Sequence, residues 1–208
     1  MGYTLLNYDD VASPTDVTYT NLTSDYDEYL FTFNAIKPVI DDGPCLCFQV
    51  DTGTNTAYDT TITSAQFRAG KNFNDSWNGF GNLTNNGGDI VSQSNGDDFQ
   101  QLSQSGESDY NVYTYNKSGD HFKSVANGWL RLYAPSSGTF VKHFISQVSQ
   151  EYVSGSAAAN TTYIITRYTQ GYFNTTTALT RIRFKFFNPY SSSHGNISDG
   201  HFAQYGLS

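Results

Sequence analysis

Histidines, cysteines and carboxylates are the residues through which this chain could do chemistry, and their spacing supports little of it. The four histidines, His121, His143, His194 and His201, are scattered. His194 and His201 stand seven apart in the final turn and strand, where they could form a metal pair. His143 lies inside an alternating segment and reads as a strand-face residue, with Lys142 on the opposite face. Cys45 and Cys47 sit at i and i+2, side by side on one strand face, where a disulfide would be strained. Two thiols are too few to hold zinc, so both read as small core residues. Asp41-Asp42, Asp97-Asp98 and Asp51-x-Gly53-x-Asn55 offer oxygen ligands, but none completes a calcium loop and turn chemistry accounts for each. The chain has 19 acidic residues, yet no carboxylate pair for glycoside hydrolysis stands in a recognisable setting. Gly-x-Ser-x-Gly, His-Glu-x-x-His and a phosphate-cradling Gly-rich loop are all missing. The expectation is a protein that is not an enzyme, with no catalytic residue, metal or cofactor.

Binding residues are easier to nominate. Trp77 and Phe80 lie in Asn74-Asp75-Ser76-Trp77-Asn78-Gly79-Phe80, where no periodicity claims Trp77 for a core. Such rings can stack on a sugar or anchor a protein contact. Trp129 opens a strand, and core burial is the expected use of its indole. Arg181, Arg183 and Lys185 alternate with Ile182, Phe184 and Phe186. The apolar trio faces a core, and the cationic trio reads as a solvated outer strand face. Contact with another subunit or an acidic partner is the alternative for those three cations.

The same period of two runs along most of the chain, so these residues must be positioned by strands. Candidates are Val17 to Leu22, Tyr29 to Ile36, Cys45 to Val50, Tyr58 to Phe67, Val112 to Tyr115, Thr162 to Tyr168, Thr180 to Phe187 and Phe202 to Leu207. Tyr29, Phe31, Phe33 and Ala35 share one face of the second. Trp129 to Tyr133 and Thr139 to Val148 form a hairpin across Ala134-Pro135-Ser136-Ser137-Gly138. Strands and turns at this spacing predict a sandwich or barrel. From 70 to 110 the chain is rich in Asn, Gly and Ser, and a few short strands with a projecting loop are expected there.

Composition narrows the classes. Hydrophobic residues are only 38%, but 16 Tyr, 15 Phe and 2 Trp supply large buried areas per residue. The net charge of -8 excludes nucleic acid and an anionic membrane as natural partners. The N-terminal segment has neither a basic region nor an apolar run, so no signal peptide is expected. Manufacture in a cytoplasm follows as an expectation.

Certain phrases carry a family resemblance. They are Asp27-Glu28-Tyr29-Leu30-Phe31-Thr32-Phe33-Asn34-Ala35-Ile36-Lys37-Pro38 and Ala57-Tyr58-Asp59-Thr60-Thr61-Ile62-Thr63-Ser64. Leu130-Arg131-Leu132-Tyr133-Ala134-Pro135 then precedes Lys142-His143-Phe144, and Gly195-Asn196-Ile197-Ser198-Asp199-Gly200 precedes Tyr205-Gly206-Leu207. In this order they resemble virion structural proteins of tailed marine bacteriophages, cyanophages and related podoviruses among them. The likeness covers about residues 17–67 and 126–208. It implies a fibre, knob or capsid-surface β-sandwich and carries over no catalytic residue.

The combined expectation is one antiparallel, jelly-roll-like β-sandwich over residues 1–208, with the 70–110 stretch as a loop-rich insertion. Its function would be structural: a capsid decoration or knob protein, or a short fibre component, assembled in the host bacterial cytoplasm. Partners would be other virion proteins and copies of itself, a trimer being one way to protect strand edges. A tail adhesin recognising host surface glycan and a glycan-degrading virion enzyme are the alternatives.

Overall fold

The computed structural model describes residues 2–39, 44–53, 57–72, 78–83, 93–96, 99–103, 125–154, 161–188 and 193–208. The described residues form fourteen strands and no helix. In chain order these are β1 (Tyr3–Asp10), β2 (Val17–Tyr19), β3 (Glu28–Pro38), β4 (Cys45–Asp51), β5 (Ile62–Asn72), β6 (Asn78–Leu83) and β7 (Ser94–Gly96). Then come β8 (Gln100–Gln101), β9 (Ala126–Tyr133), β10 (His143–Ser154), β11 (Thr161–Phe173), β12 (Arg181–Asn188), β13 (Ser193–Gly195) and β14 (Ile197–Leu207). The nine-stranded sheet has the order β1-β14-β3-β9-β10-β11-β5-β6, with β7 also on β5. The five-stranded sheet has the order β13-β12-β4-β8, with β2 also on β12. Every pairing is antiparallel.

The two sheets meet through phenylalanines. Ile182, Phe184 and Phe186 of β12 are buried, and the residues between them are half-buried. The Phe184 ring lies 5.4 Å from Phe31, 5.1 Å from Phe33 and 5.7 Å from Phe202. Phe48 of β4 crosses to Phe144 of β10 at 5.1 Å and to Phe173 of β11 at 6.2 Å. The Phe33, Phe144 and Phe173 contacts are edge to face and the others tilted, which lets the rings interdigitate across a core about 10 Å thick. Tyr19 joins that core, and its hydroxyl donates to Asp9 Oδ2 at 2.8 Å. Burial and that bond push the Tyr19 hydroxyl far above the ordinary tyrosine range.

Towards β5 and β8 the interior turns polar. Gln66, Gln100, Gln101, Arg167 and Thr169 are all buried. Gln66 Nε2 donates to Thr169 Oγ1 at 2.6 Å and to the Gln101 carbonyl at 3.0 Å, and Arg167 Nη1 donates to Gln66 Oε1. Buried polar groups of this kind must be bonded to be tolerated.

Several sequence expectations shift for local reasons. The face shared by Tyr29, Phe31 and Phe33 does not extend to Ala35. Ala35 has φ 56°, its N–H bonds Asn127 Oδ1, and the register slips between Phe33 and Ile36. The bulge changes parity, so Ile36 takes the buried place. The Tyr58 to Phe67 strand begins only at Ile62 and runs on to Asn72, because Tyr58, at φ 54°, is drawn over the small sheet. The N-terminal residues form β1, an edge strand on β14. Short strands do occur within 70–110, while Val112 to Tyr115 lies outside the described residues.

The hairpin pairs β9 with β10, Leu132 opposite Phe144, but β10 starts at His143 rather than Thr139. Ser137 Oγ accepts the amides of Thr139 and Phe140. Lys142 lies just before β10 and points inward where His143 points out: it is buried, and its Nζ donates to the Thr177 carbonyl at 2.6 Å. Loss of water around this ammonium lowers its pKa below 10.5. The folded chain therefore sheds this proton before the unfolded chain does, and stability rises with pH between the lowered value and 10.5. Urea unfolding from pH 8 to 10.5 should show that rise relative to Lys142→Met. Equal slopes would refute the assignment.

Candidate functional site

Parity along β12 puts Arg181, Arg183 and Lys185 on the outer face of the small sheet, as the sequence requires. That face is less solvated than expected. Arg183 Nε and Nη2 both donate to Gln49 Oε1, at 3.0 and 2.5 Å. Its guanidinium carbon lies 3.9 Å from the Tyr58 ring centre and 5.3 Å from that of Phe99. Phe99 in turn stacks on Phe187 at 4.8 Å. Arg181 Nε stands 3.8 Å from Oδ2 of the buried Asp51, and its Nη2 donates to the Gly53 carbonyl. Loss of water pulls the pKa of Arg183 down, against the pull of Tyr58, Asp16 and Asp51. Loss of water also lowers Lys185, helped by the charge of Arg183 and opposed by Asp16. On the face expected to be solvated, Arg183 thus clamps Tyr58 over β4, and Arg181 holds the turn at Asp51 and Gly53. Arg183→Met should cost about 1–2 kcal/mol and speed amide exchange around Tyr58. Unchanged exchange there would show that the clamp carries no weight.

Trp77 lies outside the described residues. Phe80, on edge strand β6, is 76% exposed and belongs to the opposite side of the molecule from the three cations. It projects from the outer face of the large sheet, and this face is the surface that sequence reasoning missed. One row of outward residues crosses seven strands as Leu5, Tyr205, Leu30, Arg131, Ile145, Gln170 and Ala65. The next row is Tyr8, Ala203, Thr32, Trp129, Gln147, Tyr168 and Phe67. Among these described residues Arg131 carries the one charge. It lies 3.3 Å from Glu28 Oε1, bonds the Tyr3 hydroxyl at 2.6 Å and stands 5.8 Å from the Trp129 ring centre.

Trp129 is therefore not a core residue. Leu130 and Leu132 hold the inward parity of β9, so the indole faces out and is half-buried. Beside it Tyr168 and Phe67 stack at 4.7 Å with planes 16° apart, and Phe80 leans on Phe67 at 5.2 Å. No protein-family model matches the chain, nor does any curated protein or solved structure. Its function has to be argued from these surfaces.

The remaining candidates on described residues are accounted for locally, while Asp41, Asp42, Asp97, Asp98 and His121 lie outside the described residues. Asp51 Oδ1 accepts the Thr52 amide, which is turn chemistry. Cys45 and Cys47 are buried and form no disulfide, their sulfurs 3.4 Å apart. His143 is exposed on the strand face, 5.9 Å from the Tyr172 ring. His201 stacks on Tyr8, with its Nδ1 3.2 Å from Asp10 Oδ1. The His194 side chain lies outside the described residues. Described residues include no cluster of three or more His, Cys, Asp or Glu that could hold a metal ion. A sequence signal for the outer face did exist. The doublets Phe144-Ile145, Ile164-Ile165 and Tyr172-Phe173 put an apolar group on both faces of β10 and β11.

Proposed function

We propose that the chain is a non-enzymatic structural protein of a tailed-phage virion surface, a capsid decoration or knob protein or a short fibre component, and that it works by contact. One observation carries this reading. A protein with net charge -8 presents a broad aromatic and aliphatic sheet face with a single, neutralised charge in its two central rows. An exposed apolar surface of this extent marks a site of association. The resemblance in the β3, β9 and β14 phrases supplies the virion setting, with assembly in the bacterial cytoplasm.

Quantitative mass spectrometry of purified particles tests the reading. A fixed, high copy number supports capsid decoration, and a low one supports a tail fibre. Absence of the chain from particles overturns the proposal. Turnover of host envelope polysaccharide by the purified protein would overturn its non-enzymatic part.

A further inference from the structure

We propose that the outer face of the large sheet receives a second copy of this chain, packed face to face about a twofold axis. This rests on the reading of the chain as a contact protein and names the partner.

Charge argues for it first. Two copies at net charge -8 repel each other over most of their surfaces. The central rows of this face are where that repulsion is weakest, since their one charge, Arg131, is matched by Glu28 in the same chain.

Ring orientation argues second. Phe67 and Tyr168 are directly opposed on neighbouring strands, and their 4.7 Å separation is close to the strand spacing of about 4.8 Å. The rings therefore stand up from the sheet, turned to each other, with their edges outward. A sugar stacks on an open ring face, which these two do not offer. Standing rings beside Ile145, 41% exposed, form ridges suited to interdigitate with another sheet, with Ile164, 55% exposed, at the charged margin between Glu151 and Lys71.

Size argues third. Eight strands about 4.8 Å apart, crossed by the two central rows and one flanking row on each side about 6.8 Å apart, outline roughly 700 Å², close to the ~800 Å² that each partner buries in a stable complex. Glu28, Asp10 and His201 stand in the flanking rows. An isologous pair covers this patch on both copies and leaves none to propagate.

Sedimentation velocity on the full chain at micromolar concentration should give twice the 23.1 kDa chain mass. Ile145→Glu combined with Ile164→Glu should weaken self-association by about 100-fold or more, because like charges would be buried across the axis. Phe140→Glu, at a position 71% exposed in the loop before β10, should leave the dimer intact. A gentler variant guards against misfolding. Gln147 lies beside the middle of the strand order, between β9 and β11, so Gln147→Cys should form a covalent dimer under mild oxidation. A monomeric or trimeric wild type, a dimer that survives the double substitution, or a Gln147→Cys chain that does not cross-link would each overturn the pairing. So would binding of a neutral polysaccharide by this face that competes with self-association. A monomer found in particles would overturn the pairing alone, and a twofold dimer absent from particles would overturn the virion reading alone.

Discussion

Phe184→Ala is expected to lower the unfolding free energy by about 3–5 kcal/mol. Phe184 has no solvent exposure. It touches the rings of Phe31 and Phe33 on β3, Phe202 on β14 and Tyr19 on β2. Three strands from both sheets thus converge on this one side chain of β12. Truncation opens a cavity that rigid strands cannot collapse into, so the cavity cost adds to the lost transfer energy. For a chain of this size the midpoint of thermal unfolding should fall by about 10 °C or more. Calorimetry would check it. A loss under about 1 kcal/mol would mean that the two sheets are not joined through this ring.

Gly128→Val is the second large effect, and its cause is backbone rather than cavity. Gly128 lies in β9, opposite Phe33 of β3 and Val148 of β10. A Cβ there would fall 2.1 Å from the Gln147 carbonyl oxygen and 2.8 Å from the Val148 Cα. Both are backbone atoms of β10, so no rotamer change relieves the clash and the central strands must part. Overpacking of this kind should cost about 3 kcal/mol or more. Gly138→Ala is the control, because a Cβ there meets nothing within 4 Å; its effect should stay within about 0.5 kcal/mol. Urea unfolding of the two variants checks the contrast. Similar stabilities would contradict the β9–β10 register.

How much of this was legible in the sequence depends on where the chain obeys a period of two. β12 obeys it throughout, and its inward and outward residues are placed as the alternation demands. β3 obeys it until Ala35, where one left-handed residue reverses parity; nothing in the alternation announces a bulge. Tyr58 fits a strand pattern equally well, but Arg183 holds its ring over the small sheet, and that cation is distant in sequence. Lys142 was legible as a neighbour of a strand residue but not as a loop clamp, since its carbonyl partner at Thr177 belongs to a later turn. The outer face was missed because alternation was read for one apolar parity only. Adjacent apolar pairs in β10 and β11 carried the other. Trp129 follows the same logic: its neighbours Leu130 and Leu132 already hold the inward parity.

The account places the working surface on the outer face of the large sheet. Hydroxyl-radical footprinting of the self-associated chain against the Ile145→Glu/Ile164→Glu double variant as the dissociated state tests this most directly. Tyr168, Phe67, Phe80 and Trp129 should lose most of their reactivity in the assembled state, while Lys185 on the small sheet keeps its own. Equal reactivity of the four aromatic residues in both states would contradict the account.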